Sequence, residues 1–425
     1  MTVATKIATP DFLPNLLDWP ISRLDRTFRA YVVEPAKYDP KVHPDLFQKA
    51  LSAFVAAPPD PLDQFTNVSD VKSPEYFDLL TFPEAFISPD VLSNVLEGLG
   101  SIERLGCVHV GLRPTQQDTN HLFLKTEILT FITTLRSIPG IVQADLNEFE
   151  AWAKQQASTS RFNLGCLFAL DDNHNVRICL HPKLVQSKFE FQPSPEHIME
   201  EANLLTVVTL RPANREHKTV VIQPLLCSDA LDLATKRGTR APLEAMQRDA
   251  DCLGKTPPDH IDVVSVATCT PQIPGPSKLT PRFRTWHADF REAFLRSASK
   301  DSHSRHHFAV FILSNFLLGP GNSPGGLSGI FFPSQPSPYP FPDGITLSCY
   351  GRPKTGAENN WSQPDVDFIG DKWEVRGFIA ALDPMSAAPD TVGRMFGFTL
   401  NRLLRDRSSW AAHSGVGACT IRSWP

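Results

Sequence analysis

The sequence lacks any run of about 18 consecutive apolar residues, the length that a membrane-spanning helix needs. Its nearest approach, FAVFILSNFLLG at 308–319, has the length of a buried strand. It also lacks an excess of either charge: 41 Lys and Arg against 46 Asp and Glu leave a formal net charge of -5. That balance gives no electrostatic case for nucleic acid or an anionic membrane surface as a partner. There is no C-x-x-C pair. The eight cysteines (Cys107, Cys166, Cys179, Cys227, Cys252, Cys269, Cys349 and Cys419) stand apart, mostly inside apolar runs. A cysteine-framed zinc site is therefore excluded, and reduced thiols in a cytoplasmic protein are expected. The first twenty residues, MTVATKIATPDFLPNLLDWP, carry acids and prolines where an export signal needs an apolar core. No fixed-period repeat recurs, which sets aside solenoids and propellers.

What is present is an alternation of helical and strand patterns. RTFRAYVVEP (27–36) reads as a strand and HPDLFQKALSAFVAA (43–57) as a helix stopped by APPDP; YFDLLTFPEAFI (76–87) is an apolar strand closing in Pro83 and Glu84. PDVLSNVLEGLG reads as a helix opened by proline and closed by glycine, followed by the strand CVHVGLRP (107–114). Two helical patterns precede FNLGCLFALDDNHNVRICLHPK (162–183), a hairpin with Lys183 at its end, and strands are predicted at 204–212, 217–227, 261–269 and 307–315. Further strands are predicted at 325–333, 344–351 and 373–383, with a long helix over PRFRTWHADFREAFLRSA and a last helix at 391–407. So many buried strands, some in hairpins, predict an α/β fold: a four-layer α-β-β-α sandwich with two mixed sheets facing each other between helices. Residues 1–26 read as an amphipathic extension without a clear partner, 27–385 as the main domain and 386–425 as a C-terminal helix and tail.

The chemistry gathers at strand ends. VVIQPLLCSDA (220–230) is a near-continuous apolar run that breaks at Cys227, Ser228 and Asp229, so it delivers a thiol to a strand tip. A thiol attacking a carbonyl or nitrile must lose its proton to a base, and the oxyanion that forms needs a cation or aligned N–H donors. Glu84, Lys183 and Cys227 offer base, cation and nucleophile, each at the end of a predicted strand, and a mostly parallel sheet would line those ends along one edge. Lys188, five positions on, competes for the lysine role. His287 is a possible partner for Cys227 in a cysteine–histidine pair. His303, His306 and His307 in SHSRHH have few acidic neighbours and read as a loop before a strand, so no metal site is expected. GKT at 254–256 has Asp249 where a phosphate loop needs glycine.

Several segments, in this order, resemble the signature stretches of the carbon-nitrogen hydrolase (nitrilase) superfamily: FPE at 82–84, FN at 162–163, PKLVQSKFE at 182–190 and PLLCSD at 224–229. VATCTP at 266–271, SN at 314–315 and GGLSGIFFP are similar to its later strands, and the resemblance covers about residues 27–385. It implies the same α-β-β-α sandwich and a Glu-Lys-Cys triad. On that basis Glu84 is the expected general base, Lys183 the oxyanion-stabilising lysine and Cys227 the nucleophile. Glu190 resembles a second glutamate that positions lysine and substrate, and the Ser228 N–H is expected to share the oxyanion. Ser228 stands where the family carries an aromatic residue. The implied activity is hydrolysis of a non-peptide C–N bond in a small amide, carbamoyl or nitrile substrate through a thioester, without metal or organic cofactor. The resemblance also implies pairing as a homodimer. The alternative is a ligand-binding or regulatory protein on the same scaffold, in which Cys227 senses or tethers without turnover.

Overall fold

The hairpin expected around an Asp-Asp-Asn-His-Asn turn is buried at every position of both its strands, 164–170 and 176–182. Burial on both faces explains why these strands read as continuous apolar runs and not as alternating ones. The turn closes on the Asp171 carboxylate, whose Oδ1 accepts the N–H groups of Asn173 and Asn175, each at 2.9 Å.

A computed structural model gives the fold and describes residues 10–21, 27–56, 76–102, 105–117, 121–187, 198–212, 219–231, 236–247, 257–269, 305–306, 309–322, 328–334, 365–368, 374–380, 392–401 and 420–423. The elements run β1 (Leu13–Pro20), β2 (Thr27–Pro35), α1 (His43–Ala56), β3 (Tyr76–Thr81), α2 (Pro89–Gly98), β4 (Cys107–Gly111), β5 (Phe123–Leu124), α3 (Lys125–Ser137) and α4 (Asn147–Gln155). They continue with β6 (Arg161–Phe162), β7 (Leu164–Leu170), β8 (Val176–Pro182), β9 (Leu204–Arg211), β10 (Val220–Leu226), α5 (Pro242–Gln247), β11 (Val263–Ala267) and β12 (Val310–Ser314). The last are β13 (Ser328–Ser334), β14 (Asp365–Phe368), β15 (Glu374–Ala380), β16 (Gly393–Asn401) and β17 (Thr420–Ser423).

All the strands but β5 and β6, which pair with each other, form the two mixed sheets that the sequence predicts. One has the order β17-β16-β2-β3-β4-β7-β8 and the other β1-β9-β10-β11-β12-β13-β15-β14. In the central strands alternate residues serve two cores. Ala30, Val32, Leu79, Leu167 and Ala169 meet Trp19, Val208, Ile222, Val263 and Ile312 between the sheets. Tyr31 and Val33 point the other way, into the core shared with the helices, where the Tyr31 ring meets Phe54 of α1 edge-on at 5.5 Å. Helices α1 to α4 fall in the connections of the seven-stranded sheet, and α5 follows β10. Among the described residues no helix is long and apolar enough to cross a membrane.

Two expectations about the ends of the chain are corrected. Residues 13–20 are not a lead-in without a partner: they form β1, paired in parallel with β9 from Leu13↔Leu204 to Pro20↔Arg211. Their alternating burial, with Leu17 and Trp19 turned inward, is the period of two of a half-buried strand, and the partner that sequence leaves unnamed is β9. Residues 393–401, expected in a C-terminal helix, form β16, which pairs antiparallel with all of β2 from Gly393↔Pro35 to Asn401↔Thr27. Gly393 and Gly397 each disfavour a helix by about 1 kcal/mol, and an open edge of β2 supplies the alternative partner. The strand predicted at 344–351 and the helix over PRFRTWHADFREAFLRSA lie outside the described residues.

Four buried histidines make this packing sensitive to acid. Burial pushes His43, His181 and His306 down to about 3 and His109 well below its ordinary value. The unfolded chain then binds protons at these sites that the native state refuses, so stability is intact above about pH 6.5 and is lost as pH falls below it. By pH 5 a histidine held near 3, as His43 and His306 are, accounts for a loss of about 2 kcal/mol. Urea midpoints measured from pH 7.5 to 5 should therefore fall steeply, and a flat profile contradicts the neutral burial of these rings.

Candidate active site

Glu84 sits in a tight turn that β4 holds from below. Phe82 N–H donates to the His109 carbonyl at 2.8 Å, Gly111 N–H to the Pro83 carbonyl at 3.0 Å and Phe86 N–H to the Gly111 carbonyl at 2.9 Å. Ala85 adopts φ 53, and a Cβ at Gly111 would lie 2.3 Å from the Glu84 Cα, so only glycine lets the strand come this close. Glu84 is 3% exposed. Its Oε1 accepts hydrogen bonds from Lys183 Nζ at 2.8 Å and Asn163 Nδ2 at 2.7 Å. Its Oε2 accepts the Cys269 N–H at 3.1 Å, and its own N–H donates to the Thr268 carbonyl at 3.2 Å.

Lys183 is the residue after β8 and is 1% exposed. Its N–H donates to the Asn163 carbonyl at 2.8 Å, so one asparagine braces both the lysine backbone and the carboxylate that the lysine meets. A charge pair this deep is tolerated because each partner meets the other and further hydrogen bonds satisfy the carboxylate.

Cys227 begins a 3-10 turn that leaves β10, with φ 45 and 4% of its surface exposed. A non-glycine residue in that conformation costs on the order of 1–3 kcal/mol and persists only where the surroundings impose it. Asp229 imposes it here. Its Oδ2 accepts the Leu226 N–H at 3.2 Å and closes the turn, while Oδ1 accepts the N–H groups of Leu184 and Val185 at 2.8 and 2.7 Å. Ser228 Oγ donates to the Val185 carbonyl at 2.6 Å. The segment after the lysine and the turn that begins with the cysteine are thus bound to each other. Burial pushes the Asp229 carboxyl up to about 8, against the Lys183 charge and the three backbone N–H groups, which favour the anion.

Cys269 completes the cluster. Burial, first, and then the Glu84 charge and Cys227 raise its thiol well above the ordinary range, while Lys183 and Arg113 pull it down. All four groups therefore lie within electrostatic reach of one thiol. Tyr38 borders them: its hydroxyl accepts from Arg113 Nη1 at 3.0 Å, and burial, then Cys269, drive its pKa to about 12.

The structure brings Glu84 and Lys183 into contact and puts Cys227 on the turn bound to the lysine segment, but not along one sheet. Glu84 and Lys183 follow β3 and β8 of the seven-stranded sheet, whereas Cys227 follows β10 of the facing one. The expectation of a single shared edge fails because the residues come from two facing sheets, whose strand ends are joined here by the Cys269 N–H on Glu84 and by Asp229 on the lysine segment. Glu190, the rival Lys188, His287, His303 and His307 lie outside the described residues. His306 is buried away from this cluster, its Nε2 2.8 Å from Gln223 Oε1. Sequence reasoning missed Asn163 as a ligand of the carboxylate, although FN was singled out as a segment, and it gave Asp229 and Cys269 no role. The signal for Asp229 was a lone acid two residues after a strand-end cysteine.

No family model matches the sequence. No curated protein matches it either. Solved structures do. A crystal structure of N-terminal amidase aligns at 7% identity and TM-score 0.34, covering 72% of this chain and 90% of that one. The structure of N-terminal amidase with Gln-Gly peptide gives 9% and 0.33, covering 72% and 89%, and that with Asn-Glu-Ala peptide 8% and 0.32, covering 72% and 90%. Superpositions this loose transfer neither residues nor substrate to this chain.

The contact at Gly111 gives a direct test of how the carboxylate is held. Gly111→Ala should destabilise the fold by about 1–3 kcal/mol and slow alkylation of Cys227 by iodoacetamide several-fold. Gly100→Ala, where nothing lies within 4 Å of the new Cβ, should do neither. Equal behaviour of the two variants in urea unfolding and labelling contradicts the proposed bracing.

Proposed function

We propose that this protein is a thiol hydrolase that cleaves a non-peptide C–N bond through a thioester on Cys227. The observation that carries this reading is the buried Glu84–Lys183 pair at the C-terminal ends of β3 and β8, with the strained Cys227 turn tied to the lysine segment through Asp229. The resemblance of the FPE, PKLVQSKFE and PLLCSD segments to the carbon-nitrogen hydrolases supports the same assignment.

In the proposed sequence Glu84 takes the Cys227 proton, and the thiolate attacks the carbon of an amide, carbamoyl group or nitrile. For an amide, the S–C bond forms as the carbonyl electrons move to oxygen, and the Lys183 ammonium with the Ser228 N–H stabilises that oxyanion. Glu84 returns its proton to the leaving nitrogen, the C–N bond breaks and ammonia or an amine departs. Water, deprotonated by Glu84, then attacks the thioester, and the acid leaves as the Cys227 thiol is restored. Asn163 and the Cys269 N–H keep the carboxylate from turning away during these transfers. No metal or organic cofactor enters any step. Glu190 is assigned by resemblance to the positioning of lysine and substrate.

Incubation with a panel of small amides, carbamoyl amino acids and nitriles, with ammonia release followed, tests the reading. Wild type should turn over at least one class, Glu84→Gln should lower kcat by about a hundredfold or more, and Cys227→Ala by about a thousandfold or more. No turnover on any class, with wild type and Cys227→Ala indistinguishable, leaves the ligand-binding alternative in its place.

A further inference from the structure

Beneath the charged pair a hydrogen-bonded chain of polar side chains crosses the apolar core between the sheets. Thr81 Oγ1 lies 3.0 Å from Ser265 Oγ, Ser265 Oγ lies 2.8 Å from His109 Nδ1, and His109 Nε2 lies 3.0 Å from His181 Nε2. None of the four is more than 3% exposed. Burial drives His181 down to about 3 and, with His181 as the second influence, drives His109 well below its ordinary value. Both rings are therefore neutral, and the short N···N contact holds a single proton, donated by one ring to the other. Cys107 and Cys179 share this core, and burial keeps both as neutral thiols. β7 makes room for the couple: a Cβ at Gly165 would lie 2.4 Å from His181 Nε2.

Such a chain is poor material for stability alone, since apolar side chains of similar size would avoid the desolvation of four polar groups. Its members stand at particular places. Thr81 is three residues before Glu84, His181 two before Lys183, and Ser265 three and four before Thr268 and Cys269, whose backbones bind Glu84. Ser265 is also in register with Pro224 of β10, three residues before Cys227. One chain thus links the strands that carry base, cation, the loop that grips the base and, through its neighbour, the nucleophile. All its hydrogen bonds are made only when those strands keep one relative register.

We propose that His109 and His181, with Ser265 and Thr81, are positioning residues that hold Glu84 against Lys183 beside Cys227. The proposal rests on the triad reading above. It requires that breaking the chain alter the site, not merely the fold.

The readout is the pH midpoint of Cys227 alkylation by iodoacetamide, located by peptide mass, alongside the urea midpoint of each variant. Ser265→Ala is the mild disruption and should fold; His109→Leu is the severe one, and His109→Gln keeps a donor toward His181. Ser265→Ala and His109→Leu should raise the alkylation midpoint by about one unit and slow labelling at pH 7 about tenfold, with His109→Gln between them and wild type. Val310→Ala, in the same core, should lower the urea midpoint without moving the alkylation midpoint. An unmoved midpoint in Ser265→Ala, or an equal shift in Val310→Ala, overturns the proposal. Because labelling needs no substrate, a shifted midpoint without turnover on any amide sinks the hydrolase reading and leaves the positioning role standing.

Discussion

The salt bridge between Glu84 and Lys183 is the contact on which the rest of the site depends. Both partners are almost fully buried, and a buried pair that loses one member leaves an uncompensated charge, at a cost of about 3–5 kcal/mol. The fold therefore has to supply, at one point, everything the pair requires. Asn163 comes from the hairpin side, the Cys269 N–H from the facing sheet, and a glycine at 111 lets β4 carry the Glu84 turn. The two sheets need not merely stack; their registers must agree where Thr268 and Cys269 grip the carboxylate.

Strain and restraint divide the work around the cysteine. Cys227 adopts a conformation that an unrestrained chain avoids, and Asp229 holds it there while binding the two residues after Lys183. A turn fixed in this way presents its first residue at a strand tip without relying on loop packing. In the turn so held, Ser228, which stands where the carbon-nitrogen hydrolases that these segments resemble carry an aromatic residue, turns its hydroxyl inward to the Val185 carbonyl. In the proposed chemistry the backbone, not this side chain, meets the substrate.

Much of this was legible in the residues because buried strands write themselves as apolar runs. β7, β8 and β10 are buried at every position, and each was read at nearly its observed bounds. The three candidate reactive residues stood out because charge or sulfur at the end of such a run is conspicuous. What could not be read was anything set by a distant partner. β16 looked helical until β2 offered an open edge, and β1 looked like a lead-in until β9 did. Asn163 and Cys269 earn their places only through an acid 79 and 185 positions away, a separation that no local pattern encodes. The division of the three candidate residues between two sheets was hidden for the same reason: strand ends announce themselves, but the sheet they join does not.

The central claim is that Cys227 carries the acyl group. Acid-quenched turnover of an amide substrate, followed by peptide mass spectrometry, should show the acyl increment on the peptide containing Cys227. The increment should be absent from Cys269, whose thiol burial keeps protonated. Turnover with Cys227 unmodified, or with the acyl group on Cys269, contradicts the account.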